Sequence, residues 1–336
     1  MNKKLNQIDF VILWVDSNDE AWQKKRNFYL QKENKAQLDV SPNRYRDWDN
    51  LKYWFRGVSK FAPWVRKIHF VTDGQIPLWL DLNNEKIHIV NHSDFISNDF
   101  LPLFNSSAIE VGMQNIKELS NCFVYFNDDM FLIQPVEPEY YFKDGLPIDM
   151  AGITSPTSSK TQIGKIWENN YCVLNQHFKK SEVILKNLSK WMNPFYGKTF
   201  FRTLLNIDRP TFDGLVVPHL SVPYLKSDFE KVWELEGKKL LNTQSHKFRA
   251  DSDITHFLFR YWRMLEGNFK PKRSKGKYFS AIDETSIYNI SNAIKKQKYT
   301  EICINDCWEG QDFENAKEEI KKAFDIILPN KCEFEK

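Results

Sequence analysis

Four short apolar runs punctuate the first part of the chain: Phe10 to Val15 (FVILWV), Ile68 to Thr72 (IHFVT), Ile87 to Val90 (IHIV) and Phe123 to Phe126 (FVYF). Each is too short for an ordinary helix and apolar at successive positions, the pattern of a strand buried on both faces. The segments between them have helical or turn-like spacing. Leu51, Trp54, Phe55 and Val58 recur at intervals of three and four, so Asp47 to Phe61 is expected to form an amphipathic helix that Pro63 ends. Asp19 is placed to cap a helix running to about Leu38. Strands alternating with helices imply an α/β fold, with a mixed or mostly parallel central sheet flanked by helices.

The runs end in polar chemistry: Asp16 to Asp19 after the first, Asp73-Gly74-Gln75 after the second, Asn91-His92 after the third, Asn127-Asp128-Asp129 after the fourth. In an open α/β sheet the ligand crevice lies at the carboxyl ends of the strands, so these endings would share one rim. Ile302 to Asp306 (ICIND) repeats the arrangement ahead of a helix to about Leu328. Residues 153–212 are helical and lysine-rich with no clear strand, and read as a helical insertion. The expected organisation is a single domain over 1–336, with an α/β core in 1–150 and the rest of the core in 213–336.

Composition narrows the function classes. Lys and Arg against Asp and Glu give 47 − 44 = +3, too balanced for a protein that holds nucleic acid mainly by neutralising phosphates. Hydrophobic residues at 42% and charged residues at 27% exclude a disordered or disulfide-scaffold chain. Five cysteines with no CxxC pair point to a reducing compartment and away from structural zinc. No apolar run of signal-peptide length opens the sequence, and no stretch is long enough to span a bilayer. The expected location is cytoplasmic, with peripheral contact at the inner face of the cell membrane left open.

GxxxxGK[ST], GxGxxG, GxSxG and HExxH are all missing, which removes the main support for P-loop, dinucleotide, serine-hydrolase and metalloprotease readings. Strand-end carboxylates, His219 and several arginines remain. Asp128-Asp129 could present hard oxygens to magnesium or manganese, or could be a solvated turn. Arg44, Arg46 and Arg56 could grip phosphate with their guanidinium forks, or pair with Asp47 and Asp49. His219, between Pro218 and Pro223, is either a packed histidine or a base with a suitable pKa. The basic run Lys270 to Lys277 (KPKRSKGK) is a solvated loop, or meets anionic lipid heads or an anionic polymer.

Read together, these segments resemble the Stealth family of sugar-1-phosphate transferases. The first block is Ile8-Asp9 through Asp16, with Asp19 after it. The second and longest runs from Arg44-Tyr45-Arg46-Asp47 through Ala62-Pro63-Trp64-Val65-Arg66, Val71 to Pro77, Phe104-Asn105-Ser106 and Ala108-Ile109-Glu110 to Asn127-Asp128-Asp129-Met130-Phe131. The third is Pro218-His219 with Pro223, then the segment holding Arg249 and Asp253; the fourth is Ile304-Asn305-Asp306 and the closing Pro329 to Glu335. Gly74 and Cys332 depart from the residues usual in the family, and neither supplies a group the chemistry requires.

The resemblance implies a GT-A or Rossmann-like scaffold whose 1–150 core binds a nucleotide sugar. It implies transfer of a sugar-1-phosphate from a UDP-linked donor to a hydroxyl of a growing polysaccharide or oligosaccharide, with Mg2+ or Mn2+ as cofactor and nucleoside monophosphate released. Asp129, Asn305 and Asp306 would hold the metal, Arg46 and Arg249 the phosphates, and His219 or Asp128 would be the base. Asp16 would seat the nucleotide, while Arg44, Asp73, Gln75, Asn105, Ser106 and Asn127 would contact donor or acceptor. A conventional glycosyltransferase releasing nucleoside diphosphate is the competing enzyme reading, and a noncatalytic polysaccharide binder the competing reading from another class.

Overall fold

The computed structural model describes residues 7–33 and 46–336. Its strands are β1 (Ile8–Leu13), β2 (Ile68–Thr72), β3 (Ile87–Asn91), β4 (Cys122–Asn127), β5 (Met130–Leu132), β6 (Phe142–Lys143), β7 (Leu146–Asp149), β8 (Val222–Leu225), β9 (Lys270–Pro271), β10 (Lys277–Ala281) and β11 (Glu301–Asp306). The helices are α1 (Glu20–Lys32), α2 (Leu51–Phe61), α3 (Ser106–Glu110), α4 (Gln162–His177), α5 (Lys180–Lys186), α6 (Leu188–Trp191), α7 (Lys198–Leu205), α8 (Lys226–Ser245), α9 (Phe257–Glu266), α10 (Glu284–Lys295) and α11 (Phe313–Ile327).

The central sheet has the order β3-β2-β1-β4-β8, parallel through its first four members and antiparallel at the β8 edge. The expected mixed, mostly parallel sheet flanked by helices is therefore present. The chain winds outward from β1 through β2 to β3, then returns to place β4 on the other side of β1. That reversal opens a crevice at the carboxyl ends of β1 and β4. Phe10, Val11 and Ile12 are wholly buried because helices cover both faces. Phe10 and Ile12 join a core with α2, α10 and α11, while Val11 joins a second core with α4, α8 and α9.

Asp128 and Asp129 form the corner between β4 and β5, where the chain leaves the central sheet for a second sheet of order β10-β11-β5. The Ile304 amide donates to the Asp129 carbonyl at 2.8 Å, which brings the end of β11 against this corner. The ICIND strand thus reaches the same rim from a different sheet. A third small sheet, β6-β7-β9, lies beyond.

Asp19 caps α1 as expected, accepting from the amides of Ala21 (2.8 Å) and Trp22 (3.1 Å). The helix ends at Lys32, and the remainder of the stretch expected to reach Leu38 lies outside the described residues. Residues 162–205 carry α4 to α7 with no strand among them. At the C-terminus Phe334 enters the first core, and Glu335 takes a bidentate pair from Arg56 of α2 at 2.7 and 2.9 Å. Arg56 is therefore part of the scaffold. The five cysteines are free thiols.

Candidate active site

A cleft of about 1080 Å³ opens at the carboxyl ends of β1 and β4. Its floor is Leu13, Trp14 and Val15 after β1 and Asn127-Asp128-Asp129 after β4. Arg46 and Asp47 come from the segment before α2, Ser106 and Glu110 from α3, Arg249 from the loop after α8, His219 from the approach to β8, and Asn305-Asp306 from β11. The loop before α4 and its first turn, from Thr157 to Gly164, close another wall. Residues more than 200 positions apart in the sequence thus face one space.

The acidic corner is electrostatically strained. Burial among the cleft walls, then the charges of Asp129 and Asp47, push the Asp128 carboxyl up to about 7. Its side chain still opens onto the cleft, so water and solutes reach it from one side. Burial raises Asp129 to about 6, partly offset by the Cys303 thiol, which donates to its Oδ2 at 3.2 Å. Asp47 is raised by burial and then by Asp49 and Asp16. Asp129 Oδ1 and Asp306 Oδ2 are buried without a hydrogen-bond donor. Asp306 Oδ2 does lie 3.4 Å from Arg46 Nε, a charge contact without hydrogen-bond geometry.

A divalent cation fits this corner. Two donor-poor carboxylate oxygens beside an acid whose ionised form is penalised are what a hard cation relieves. Among the described residues no three acidic, histidine or cysteine side chains converge into a closed cage. Magnesium commonly takes one or two carboxylates and leaves its other positions to water and phosphate oxygens. Asn305, whose amide Nδ2 lies 2.9 Å from Cys307 Sγ, lines the same rim.

The basic side is held by polar clamps. Asp253 accepts from Asn105 Nδ2 at 2.8 Å and the Ala250 amide at 2.9 Å, and pairs with His246 Nδ1 at 2.7 Å. This fastens the loop 246–253 onto the start of α3 and leaves Arg249 Nη2 donating to Ser106 Oγ at 3.2 Å. Asn105 also caps α3 through the Ser107 amide at 3.2 Å, so its carboxamide is occupied in positioning Arg249 and Ser106. Arg46 lies 4.7 Å over the Phe313 ring, which fixes the guanidinium at the mouth of the acidic corner.

The other expected residues divide similarly. Asn127 accepts from Tyr125 Oη at 2.6 Å, and the same hydroxyl meets Glu110 Oε1 at 3.0 Å. Asp73 reaches the cleft paired with Lys25. Gln75 grips the backbone of Asp16, accepting from its amide and donating to its carbonyl at 2.8 Å each, so it shapes the loop after β1; neither Gln75 nor Asp16 lines the cleft, though Asp16 is within charge range of Asp47, which does. Asp16 Oδ1 accepts from the Asn18 amide at 2.8 Å. His219 sits at φ 46°, its ring 5.1 Å from that of Tyr278, and burial lowers its pKa so that it is neutral near pH 7. Arg44 lies outside the described residues.

Asp47, Glu110 and Tyr125 are cleft residues that the sequence reading did not assign a role there. Asp47 read as a partner of the arginines beside it, yet Arg46 turns to Asp306 and leaves Asp47 facing Asp128. Glu110 ended the quoted Ala108-Ile109-Glu110 segment, and only its burial under Tyr125 and near Arg249 reveals a polar role.

The family model for Stealth protein conserved region 2 matches residues 44–148, and that for conserved region 1 matches residues 6–33. A capsular polysaccharide phosphotransferase WcwK of Streptococcus pneumoniae is 38% identical, covering 99% of this chain and 99% of its own. A receptor polysaccharide phosphotransferase WefC of Streptococcus gordonii is 37% identical over 98% of this chain and 99% of its own. The exopolysaccharide phosphotransferase cps2G of Lactiplantibacillus plantarum is 38% identical over 98% and 96%. Among solved structures, mouse xyloside xylosyltransferase 1 covers 88% of this chain and 97% of its own at TM-score 0.33 and 8% identity, too slight a likeness to carry an argument. With full-length relatives at this identity and both conserved regions in place, the chain belongs to the Stealth family and is a phosphotransferase.

Proposed function

We propose that the enzyme transfers a sugar-1-phosphate from a UDP-linked sugar to a hydroxyl of a growing capsular or exopolysaccharide, forming a phosphodiester and releasing UMP. The observation that carries this reading is the convergence, in one cleft, of an acidic corner (Asp128, Asp129, Asp306) and two anchored arginines, Arg46 beside that corner and Arg249 on α3's side. A diphosphate needs both cations and a directed acceptor, and phosphoryl transfer is mostly positioning and charge neutralisation. Magnesium or manganese, held by Asp129 and Asp306 with Asn305, would supply further neutralisation of the diphosphate charge. Arg249 and Arg46 hold phosphate oxygens, Asp16 and Trp14 receive the nucleotide at the end of β1, and His219 or Asp128 accepts the acceptor's proton. His219 is neutral and Asp128 is poised near neutrality, so both can act as base around pH 7. Because attack falls on the sugar-linked phosphorus, the donor's anomeric configuration is retained.

A panel of nucleotide sugars with magnesium and an oligosaccharide acceptor tests this by the nucleotide released. Nucleoside monophosphate is the expected product. Nucleoside diphosphate would instead establish a conventional glycosyltransferase that breaks the C1–O bond.

A further inference from the structure

Helix α7 is inside out. Its sequence, KTFFRTLL, buries the two threonines: Thr203 Oγ1 donates to the Thr199 carbonyl at 2.9 Å and accepts from the Ile153 amide at 3.0 Å. Phe200 packs against the second core, but the other apolar residues face solvent, with Phe201 63%, Leu204 43% and Leu205 80% exposed, and Phe195 just ahead of the helix is 87% exposed. A surface helix normally does the reverse. Lys198 and Arg202 are exposed on the same helix, and residues 183–207 contain no Asp or Glu. Gly197, at φ 59°, abuts Arg273: a Cβ there would stand 3.1 Å from its Nη1, which places the exposed 272–277 basic loop beside this face.

We propose that the outward face of α7, together with the adjoining basic loop, docks the protein on an anionic phospholipid bilayer. Apolar side chains ringed by lysine and arginine match the two layers of such a surface, acyl boundary within and anionic headgroups outside. An anionic sugar polymer would satisfy the cations and can stack on Phe201, but offers no apolar layer to Leu204 and Leu205. A second copy of the chain would bring like charges together across a two-fold contact. No helix among the described residues is long and apolar enough to cross a membrane. The first turn of α4 lines the active cleft, whereas no residue of α7 does, so the proposed membrane face is separate from the catalytic residues.

Cosedimentation of the full chain with phosphatidylglycerol-containing vesicles, against vesicles of phosphatidylcholine alone, tests this without turnover and so stands apart from the phosphotransfer reading. Binding only to the anionic vesicles is expected, weakening with salt, and dropping by at least about tenfold in Phe201→Glu/Leu205→Glu. Lys198→Glu/Arg202→Glu should remove most of the salt-sensitive part. Both pairs are surface positions, so unchanged melting and unchanged turnover of soluble substrates are expected beside the lost binding. Equal recovery with both vesicle types, or full binding by the Phe201/Leu205 variant, overturns the proposal. It is likewise overturned by a wild-type dimer, seen by sedimentation velocity, that ignores vesicles and that Phe201→Glu/Leu205→Glu dissolves.

Discussion

Asp129 sits where two sheets meet, and its chemistry follows from that address. One carboxylate oxygen takes the Cys303 thiol and the other is buried without a donor. Its folded-state pKa, about 6, lies above the ordinary 3.8, so the folded protein binds more protons in that window and loses stability as pH rises through it. Asp129→Asn should therefore cut turnover by about 10²-fold or more while leaving the metal-free melting temperature at pH 8 unchanged or higher. Normal turnover in a folded variant would remove Asp129 from metal binding. His219 needs a different substitution because its backbone is left-handed at φ 46°. Asn tolerates that conformation, so His219→Asn isolates the imidazole. If His219 is the base, kcat/KM falls about 10²-fold and the acidic limb of the pH profile moves; an unchanged profile assigns the base to Asp128.

At the scale of elements, two devices hold the site from behind. The closing segment inserts Phe334 beside Phe55 of α2 and pins Arg56 through Glu335, so Phe334→Ala should cost about 3 kcal/mol in denaturant titrations. A loss below about 1 kcal/mol would mean that the segment is peripheral to the core. At the other end of β11 from Asp306, Glu301 is buried against Tyr140, Ser221 and Ser274, and burial lifts its carboxyl to about 7 from 4.5. Its stabilising protonated form is complete at low pH and lost as pH rises through 7, worth about 3 kcal/mol across the window. Glu301→Gln should flatten the decline in melting temperature between pH 5 and 8 expected of wild type; an identical slope would contradict the assignment.

The same elements show what was legible in the sequence. Strands β1 to β4 and helix α2 were readable because burial on both faces, or on one helical stripe, writes itself into residue order. Strands β5, β6, β7 and β9 have two to four residues, and their pairing depends on partners far along the chain. The strand-end acids announced the rim. That Gln75 and Asn105 act as clamps, and that Asp47 faces Asp128, depends on which groups the fold brings within hydrogen-bond or charge range, which no local pattern records.

On the scale of the molecule, a doubly covered sheet carries a charged crevice at its point of reversed strand order, and α7 turns apolar side chains to solvent away from the residues that line that crevice. The account turns on which bond of the donor breaks. A UDP-sugar labelled with 32P in its β-phosphate, incubated with magnesium and an acceptor oligosaccharide, reads that bond directly. The label should appear in the acceptor product as a phosphodiester resistant to phosphatase, with unlabelled UMP released. Label remaining in released UDP, with none in the product, would contradict phosphotransfer.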